Sequence, residues 1–530
     1  MNKFLKRTIK FAFVFLFIAS LSIFFDRTKN NILLGLVFTF CITFIFHQKW
    51  SLAFLSACLA EFIFQVWCSL PSASSGELIN SFQFNSFVSY LSLSSLSNNY
   101  DYKVILIMGV TALFSYGLHF IIATITPASN LIVYYANIIV YIFIILPFLI
   151  VLSILSRLKR SKKIDVGIGP QPLINNIYHK KAINLAGYSA ETYVENVYFI
   201  TSDFDYRGDL SFFSKNRFFN KYANIILFIR AIFRYKCLYI YFTGGPLRIY
   251  PQLKPVEPYL LRLADIKVVV MPYGADVNDM HFGPNYKFKH ALNTDYPSFH
   301  RLTKDTAEQI NRWTENANYV ISGCDWVDYT YYWDKLVLAH FSVDVDKIVA
   351  TANSSHSHHI VDREFTHEKP LRVFHAPNHK TIKGSRFIQQ AIAELKSEGY
   401  PIEIILVQGK PNHEILKEIA NSDIVADQLV IGWYAMFALE GLSLSKPVIC
   451  YLREDLIELF LFGDVLGSKD ELPFINANVF SIKSILLDIL LGKIKLSEYS
   501  SRALPYVKKY HSVESISHVF KVANNHIGLS

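Results

Sequence analysis

The residues with the clearest chemical potential fall within one stretch, His375 to Tyr451. Lys380 and Lys383 stand where a loop enters a predicted helix, and Gly384 lets the backbone approach a ligand closely. Two cations and the unpaired amides of a helix start, gathered at one point, make a cradle for a diphosphate. Further on, Gly432-Trp-Tyr-Ala-Met-Phe-Ala-Leu-Glu440 runs from a glycine turn into a helix. Its first amides, at Tyr434 and beyond, should point into the same crevice. Glu440 sits about two turns into that helix, where a carboxylate can hold the hydroxyls of a ribose. Asp427 and Gln428 end the strand before it and offer further polar contacts. His375 closes another strand, either touching a ligand or simply bonding to backbone.

Other clusters are weaker. His356-Ser-His358-His359 has no Cys or carboxylate at fixed helical spacing, so it reads as solvated linker rather than a metal site. Asp203-Phe-Asp205 and Asp344-Val-Asp346 both spell Asp-x-Asp, the pattern that holds a divalent ion in one class of transferase, but short acidic pairs also arise by chance. Cys41, Cys58, Cys68, Cys237, Cys324 and Cys450 contain no CxxC pair and read as buried reduced thiols.

From Lys163 onward, short apolar runs alternate with amphipathic stretches, the pattern of βαβ units and a parallel sheet. Predicted strands are Ile164–Ile168, Val197–Ile200, Leu238–Phe242, Val268–Met271 and Tyr319–Ile321, with a helix from about Asn176 to Leu185. A second series follows: strands Leu371–Phe374, Ile402–Val407, Ile424-Val425 and Pro447–Tyr451, with helices at His413–Ala420 and Tyr434–Leu444. Phe387, Ala391 and Leu395 mark one face of another helix. Asp344 to Pro370 is polar and patternless, a linker between two doubly wound lobes. In such sheets ligands lie beyond the carboxyl ends of the strands. Small and polar residues gather there: Gly167-Ile-Gly-Pro-Gln171, Thr243-Gly-Gly-Pro246, Tyr273-Gly-Ala-Asp276 and Ser322 in the first lobe, and the His375, Gln408 and Asp427 loops in the second. Asp276 is the first lobe's candidate for orienting an acceptor hydroxyl.

Three runs occur in order: His375 to Ser385, Asp423 to Gln428, and Gly432 to Ile449. Together they resemble the C-terminal lobe of GT-B fold glycosyltransferases, in particular family 4. The resemblance covers the last 160 residues or so. Lys383-Gly384 matches that family's Lys-Gly, Lys380 falls where a basic phosphate ligand is expected, and Glu440 matches the second Glu of Glu-x(7)-Glu. Gly432 stands in place of the first Glu, Ala435 replaces a Gly before the aromatic, and Ser445 replaces a second Gly. The resemblance implies a nucleotide-diphosphate sugar as donor and no cofactor or metal. It also implies Lys380, Lys383, Gly384, Asp427, Gln428, Gly432, Tyr434 and Glu440 as donor ligands, with His375, Lys383 and Asp276 nearest the chemistry.

The chain is 52% hydrophobic and 18% charged over 530 residues, and the excess lies in the first 156. Phe11–Phe25, Asn31–Phe46, Leu52–Leu70, Val104–Ile125 and Leu131–Leu155 are near the length that crosses hydrocarbon. Ile79–Ser97 is a weaker, Ser-rich candidate. Basic runs flank both ends, Lys3 to Lys10 and Arg157-Leu-Lys-Arg-Ser-Lys-Lys163, so both ends are expected in the cytoplasm. The modest net charge of +9 clusters at these boundaries and suits a membrane rather than a nucleic acid. The expected organisation is a helical membrane domain over residues 1–160, an acceptor lobe over 163–343, a linker over 344–370 and a nucleotide-sugar lobe over 371–530. The expected activity is sugar transfer to a glycan or lipid-linked acceptor in surface polysaccharide synthesis. A non-catalytic scaffold and a nucleotide-sugar 2-epimerase are the alternatives.

Overall fold

The computed structural model describes residues 138, 140–158, 164–197, 201–215, 220–301, 303–352 and 362–529. The candidate spans before residue 131, the His356 cluster and residues 198–200 lie outside these. Both sheets belong to one compact unit, Ile125–Ser530.

The first sheet contains β1 (Ile164–Ile168), β2 (Ala190–Val194), β3 (Tyr206–Arg207), β4 (Tyr235–Tyr241), β5 (Lys267–Met271), β6 (Tyr319–Gly323) and β7 (Lys335–Val337). Its order is β3-β2-β1-β4-β5-β6-β7, with every pairing parallel. The second contains β8 (Leu371–His375), β9 (Ile402–Leu406), β10 (Ile424–Gln428), β11 (Val448–Cys450) and β12 (Phe474–Asn476). Its order is β12-β11-β10-β8-β9, again wholly parallel. The central strands β4 and β10 are buried except at Lys236, as sheets covered by helices on both faces require. That is why their sequences read as continuous apolar runs.

The helices that position the site are labelled in chain order. A π-helical turn, Tyr141–Ile145, leads into α1 (Leu146–Leu158). Then come α2 (Asn175–Leu185), α3 (Ala223–Arg234), α4 (Glu257–Leu263), α5 (Tyr286–Asp295), α6 (Val345–Thr351), α7 (Lys380–Lys383), α8 (Ser385–Ser397), α9 (Met436–Ser443) and α10 (Val513–His526). In α8 the stripe Ile388, Ala391, Ile392 and Leu395 enters the second lobe's core.

Three local features depart from expectation. A strand not marked from the sequence, Ala190–Val194, follows β1, while residues 198–200 of the expected Val197–Ile200 lie outside the described residues. This β2 strand carries Glu191 in its interior, tolerated because Arg230, Arg234 and the Tyr235 hydroxyl all bind that carboxylate. The polar stretch from Asp344 opens with a helix, α6, whose N-cap is Asp344 itself, accepting from Lys347 N at 3.2 Å. The final helix leaves the second lobe: Val513, Ile516, Phe520 and Ala523 of α10 pack into the first lobe's core beside Ala182 and Ile183 of α2. Tyr239 of β4 donates to Asn524 Oδ1 across that contact at 2.8 Å.

One helix among the described residues, Tyr141–Leu158, is long and apolar enough to cross a membrane by length and composition. One of its faces packs on α3 and α4.

Candidate functional site

Each sheet has one point where the strand order reverses direction: between β1 and β4 in the first, between β8 and β10 in the second. Crevices that take ligands open at the carboxyl ends of such strands. At the second sheet's reversal stand Lys383 and Asp427, with Lys383 Nζ 2.6 Å from Asp427 Oδ1. Asp427 is fully buried and its Oδ2 also accepts from Ala435 N, at 3.1 Å. A lone buried carboxylate is costly, so this ion pair locks the strand end, the lysine and the start of α9 into one unit. Gly384 follows in the left-handed region, with φ of +75°, and an added Cβ would meet Leu429 Cβ at 3.1 Å. Glycine is therefore required where Lys383 turns from α7 into α8.

Glu440 lies beside this pair, 6% exposed, accepting from Asn412 Nδ2 at 2.7 Å. Burial pushes its carboxyl up to about 7; Asn412 opposes the shift and the charge of Asp427 adds to it. Lys380 is exposed at the start of α7. Gly432 has φ of +102°, and a Cβ there would meet Arg453 Cδ at 2.5 Å.

Several sequence-predicted ligands are already committed to the protein. His375 is fully buried; its Nδ1 donates to Ala426 O at 2.7 Å, which leaves Nε2 to accept from Ser385 Oγ at 2.8 Å. Burial holds the ring neutral, lowering it to about 4, so neither nitrogen is left for a sugar. Gln428 donates to Trp433 O and Tyr451 O and accepts from Val430 N and Ile431 N. It organises the loop rather than facing a ligand. Tyr434 stacks on Phe474, centroids 4.8 Å apart, and its hydroxyl joins Tyr506 and His511 in the core. Asp276, 0% exposed, accepts from Phe242 N, Tyr273 N and Gly274 N. Burial raises it to about 7 against those amide bonds, and its oxygens are spent on folding the loop after β5. Of the Asp-x-Asp carboxylates, Asp205 and Asp344 are spent likewise. Asp205 binds Lys180 and the Thr192 amide and hydroxyl, Asp344 caps α6 and pairs with Lys181, and Asp203 is largely exposed.

The helix amides are not free either. Thr381 N and Ile382 N donate to Asp295 Oδ2 at 3.1 and 3.0 Å. Asp295 ends α5, which packs on α7 through Phe288, Ala291, Leu292 and Ile382. A carboxylate from the first lobe thus occupies the place the sequence assigns to a phosphate. The lobes also meet where Asn285 donates to Val430 O and Ile431 O, where Trp433 donates to Leu338 O, and where Arg453 grips Asp328.

Sequence reasoning passed over Asp325. Strand β6 runs two residues beyond the predicted end, so the loop begins at Cys324 rather than Ser322. Cys324 has φ of +54°, unusual for a residue with a Cβ, and a Cβ on Gly323 would meet Val337 O at 2.1 Å. This elbow holds Asp325 against the second lobe. Burial pushes the carboxyl up to about 7; Asp328 adds to the shift, and Arg453 and Lys383 oppose it. A single signal, an Asp just past a Gly-terminated strand, pointed to it.

No family model and no curated protein matches the chain. Among solved structures it is similar to the Anabaena protein HepE in complex with UDP and glucose, at 11% identity, TM-score 0.43, covering 68% of this chain and 99% of that one. It is similar to sucrose-phosphate synthase of Thermosynechococcus elongatus, at 10% identity, TM-score 0.43, covering 70% and 100%. An α-glucosyltransferase with UDP and a 13-mer DNA gives 10% identity, TM-score 0.41, and 69% and 100% coverage. At identities this low and TM-scores under 0.5, these likenesses say nothing about what this chain binds or transforms.

Proposed function

We propose that this chain transfers a sugar from a nucleoside-diphosphate sugar to an acceptor hydroxyl, the donor held by the second lobe. The observation that carries the reading is the cluster of Lys383, Asp427 and Glu440 at the second sheet's reversal, facing a polar elbow of the first lobe. Lys380 and Lys383 stabilise the charge that builds on the leaving diphosphate, and this stabilisation counts because it grows in the transition state. Glu440 receives the ribose hydroxyls. Asp325 replaces Asp276 as the acceptor-side group. It takes the acceptor's hydroxyl proton as the new carbon–oxygen bond forms and the bond to the diphosphate breaks. A carboxyl near 7 suits a base at neutral pH. No step in this scheme calls for a metal.

The acceptor is a lipid-linked glycan, and the lobes face the cytoplasm, where nucleotide sugars are made. The basic runs at both ends of the apolar region support this. A reporter domain fused after Ser530 should be active only if cytoplasmic; activity solely on the other side would refute the placement.

The chemistry is tested with purified full chain, given donor and acceptor after exhaustive chelation. As a base Asp325 works ionised, so kcat/KM should fall as pH drops below about 7. Asp325→Asn should lose about 10²- to 10⁴-fold in rate and the acid limb of the profile with it. An unchanged profile would remove Asp325 from the mechanism. Loss on chelation restored by manganese would instead favour a metal-borne diphosphate. A binding-only protein would show donor affinity with neither transfer nor hydrolysis.

A further inference from the structure

The helix from Tyr141 through α1 has two faces of unlike fate. Leu149, Leu152, Ser153 and Ser156 are buried, the helix packing on α3 and α4, and the Tyr141 ring lies 5.5 Å from that of Tyr250. Contact with the first lobe therefore runs almost the whole length. A helix held this way has one side unavailable to lipid, unlike a span surrounded by hydrocarbon. The other side is apolar and is not covered by any of the described residues: Phe143 is 72% exposed, Val151 54%, Ile154 49% and Leu158 80%. Tyr259 and Leu263 are exposed on α4, which packs on this helix, and Arg157 and Arg262 are exposed next to Leu158 and Leu263 in the chain. Single exposed apolar side chains are ordinary, whereas a contiguous patch with a polar rim marks a partner.

We propose that this face is a membrane seat: the helix lies along the bilayer interface, with the first lobe on its polar side and acyl chains on the other. Two features favour lipid over a protein partner. The 140 residues before the helix hold Phe11–Phe25, Asn31–Phe46, Leu52–Leu70 and Val104–Ile125, each near the length that crosses hydrocarbon, so the chain next to the helix is suited to a bilayer. Immediately after Leu158 come Lys159, Arg160, Lys162 and Lys163, a charge run that complements anionic headgroups. This seat replaces the expected crossing at Leu131–Leu155 with a helix lying along the surface.

The test reads depth and needs no turnover, so it stands whether or not the chain is a transferase. The full chain is reconstituted into phosphatidylcholine–phosphatidylglycerol vesicles with Cys41, Cys58 and Cys68 replaced by Ser. Nitroxide labels are placed singly at Phe143→Cys, Val151→Cys, Leu158→Cys and Tyr259→Cys. Collision rates with oxygen and with a water-soluble nickel chelate give each label's depth. A seated helix puts all four at one shallow level, about 5–10 Å into the headgroup boundary. Phe143 and Leu158 separated in depth by about 22 Å, the rise between them along a crossing helix, would overturn the seat. So would labels fully accessible to the chelate, which means water, or labels reached by neither reagent, which means a protein partner.

Discussion

Glu440 illustrates at the scale of one residue how function and stability part company. Its carboxyl is ordinarily near 4.5 and is pushed up to about 7 in the fold, so the folded chain holds a proton that the unfolded chain releases. Its contribution is therefore intact below about pH 4.5 and is lost as pH rises through 7, by up to about 3 kcal/mol. Glu440→Gln keeps an acceptor for Asn412 and cannot ionise. The variant should match the parent's stability at pH 5, exceed it at pH 8 and bind nucleotide more weakly. Denaturant titrations at the two pH values check the first part, and equal curves at pH 8 would show that Glu440 carries no such strain. Its place on a helix beside Asp427 was legible because its spacing after Gly432 puts it about two turns beyond a glycine turn. The commitments of His375, Gln428 and Tyr434 were not legible. Their partners, Ser385, Tyr451 and His511, come from other elements, and no local pattern announces them.

Among the elements, the apolar runs of β1, β4, β5, β8 and β10 placed those strands within a few residues. β2 escaped because its buried Glu191 breaks the run, and the arginines that make it tolerable lie on α3. The pairing of α5 with α7 was equally hidden, since it joins two lobes. It has a testable consequence. Asp295 holds the Thr381 and Ile382 amides that a diphosphate would use, so nucleotide and carboxylate compete. Asp295→Asn removes the charge and should raise nucleotide affinity several-fold, read by calorimetric titration. A several-fold loss instead would mean that Asp295 builds the site rather than blocking it.

For the whole molecule, two wholly parallel sheets were foreseen from the alternation of runs. The return of α10 to the first lobe was not, because an amphipathic helix states which face it buries and not against what. That return, with the Arg453–Asp328 grip, ties the two lobes together. The central claim is that the second lobe binds a nucleoside-diphosphate sugar through Lys383. Removing Lys383 alone would strand the buried Asp427 carboxylate, at about 3–5 kcal/mol, so the informative variant is Lys383→Ala with Asp427→Asn. Thermal unfolding of the full chain is followed across a panel of nucleotide sugars. At a hundred times its dissociation constant the cognate donor adds about 2.7 kcal/mol, a rise of a few degrees in Tm. The account predicts that rise for at least one nucleotide sugar in the parent and its loss in the folded double variant; no rise with any donor, or an equal rise in both proteins, would contradict it.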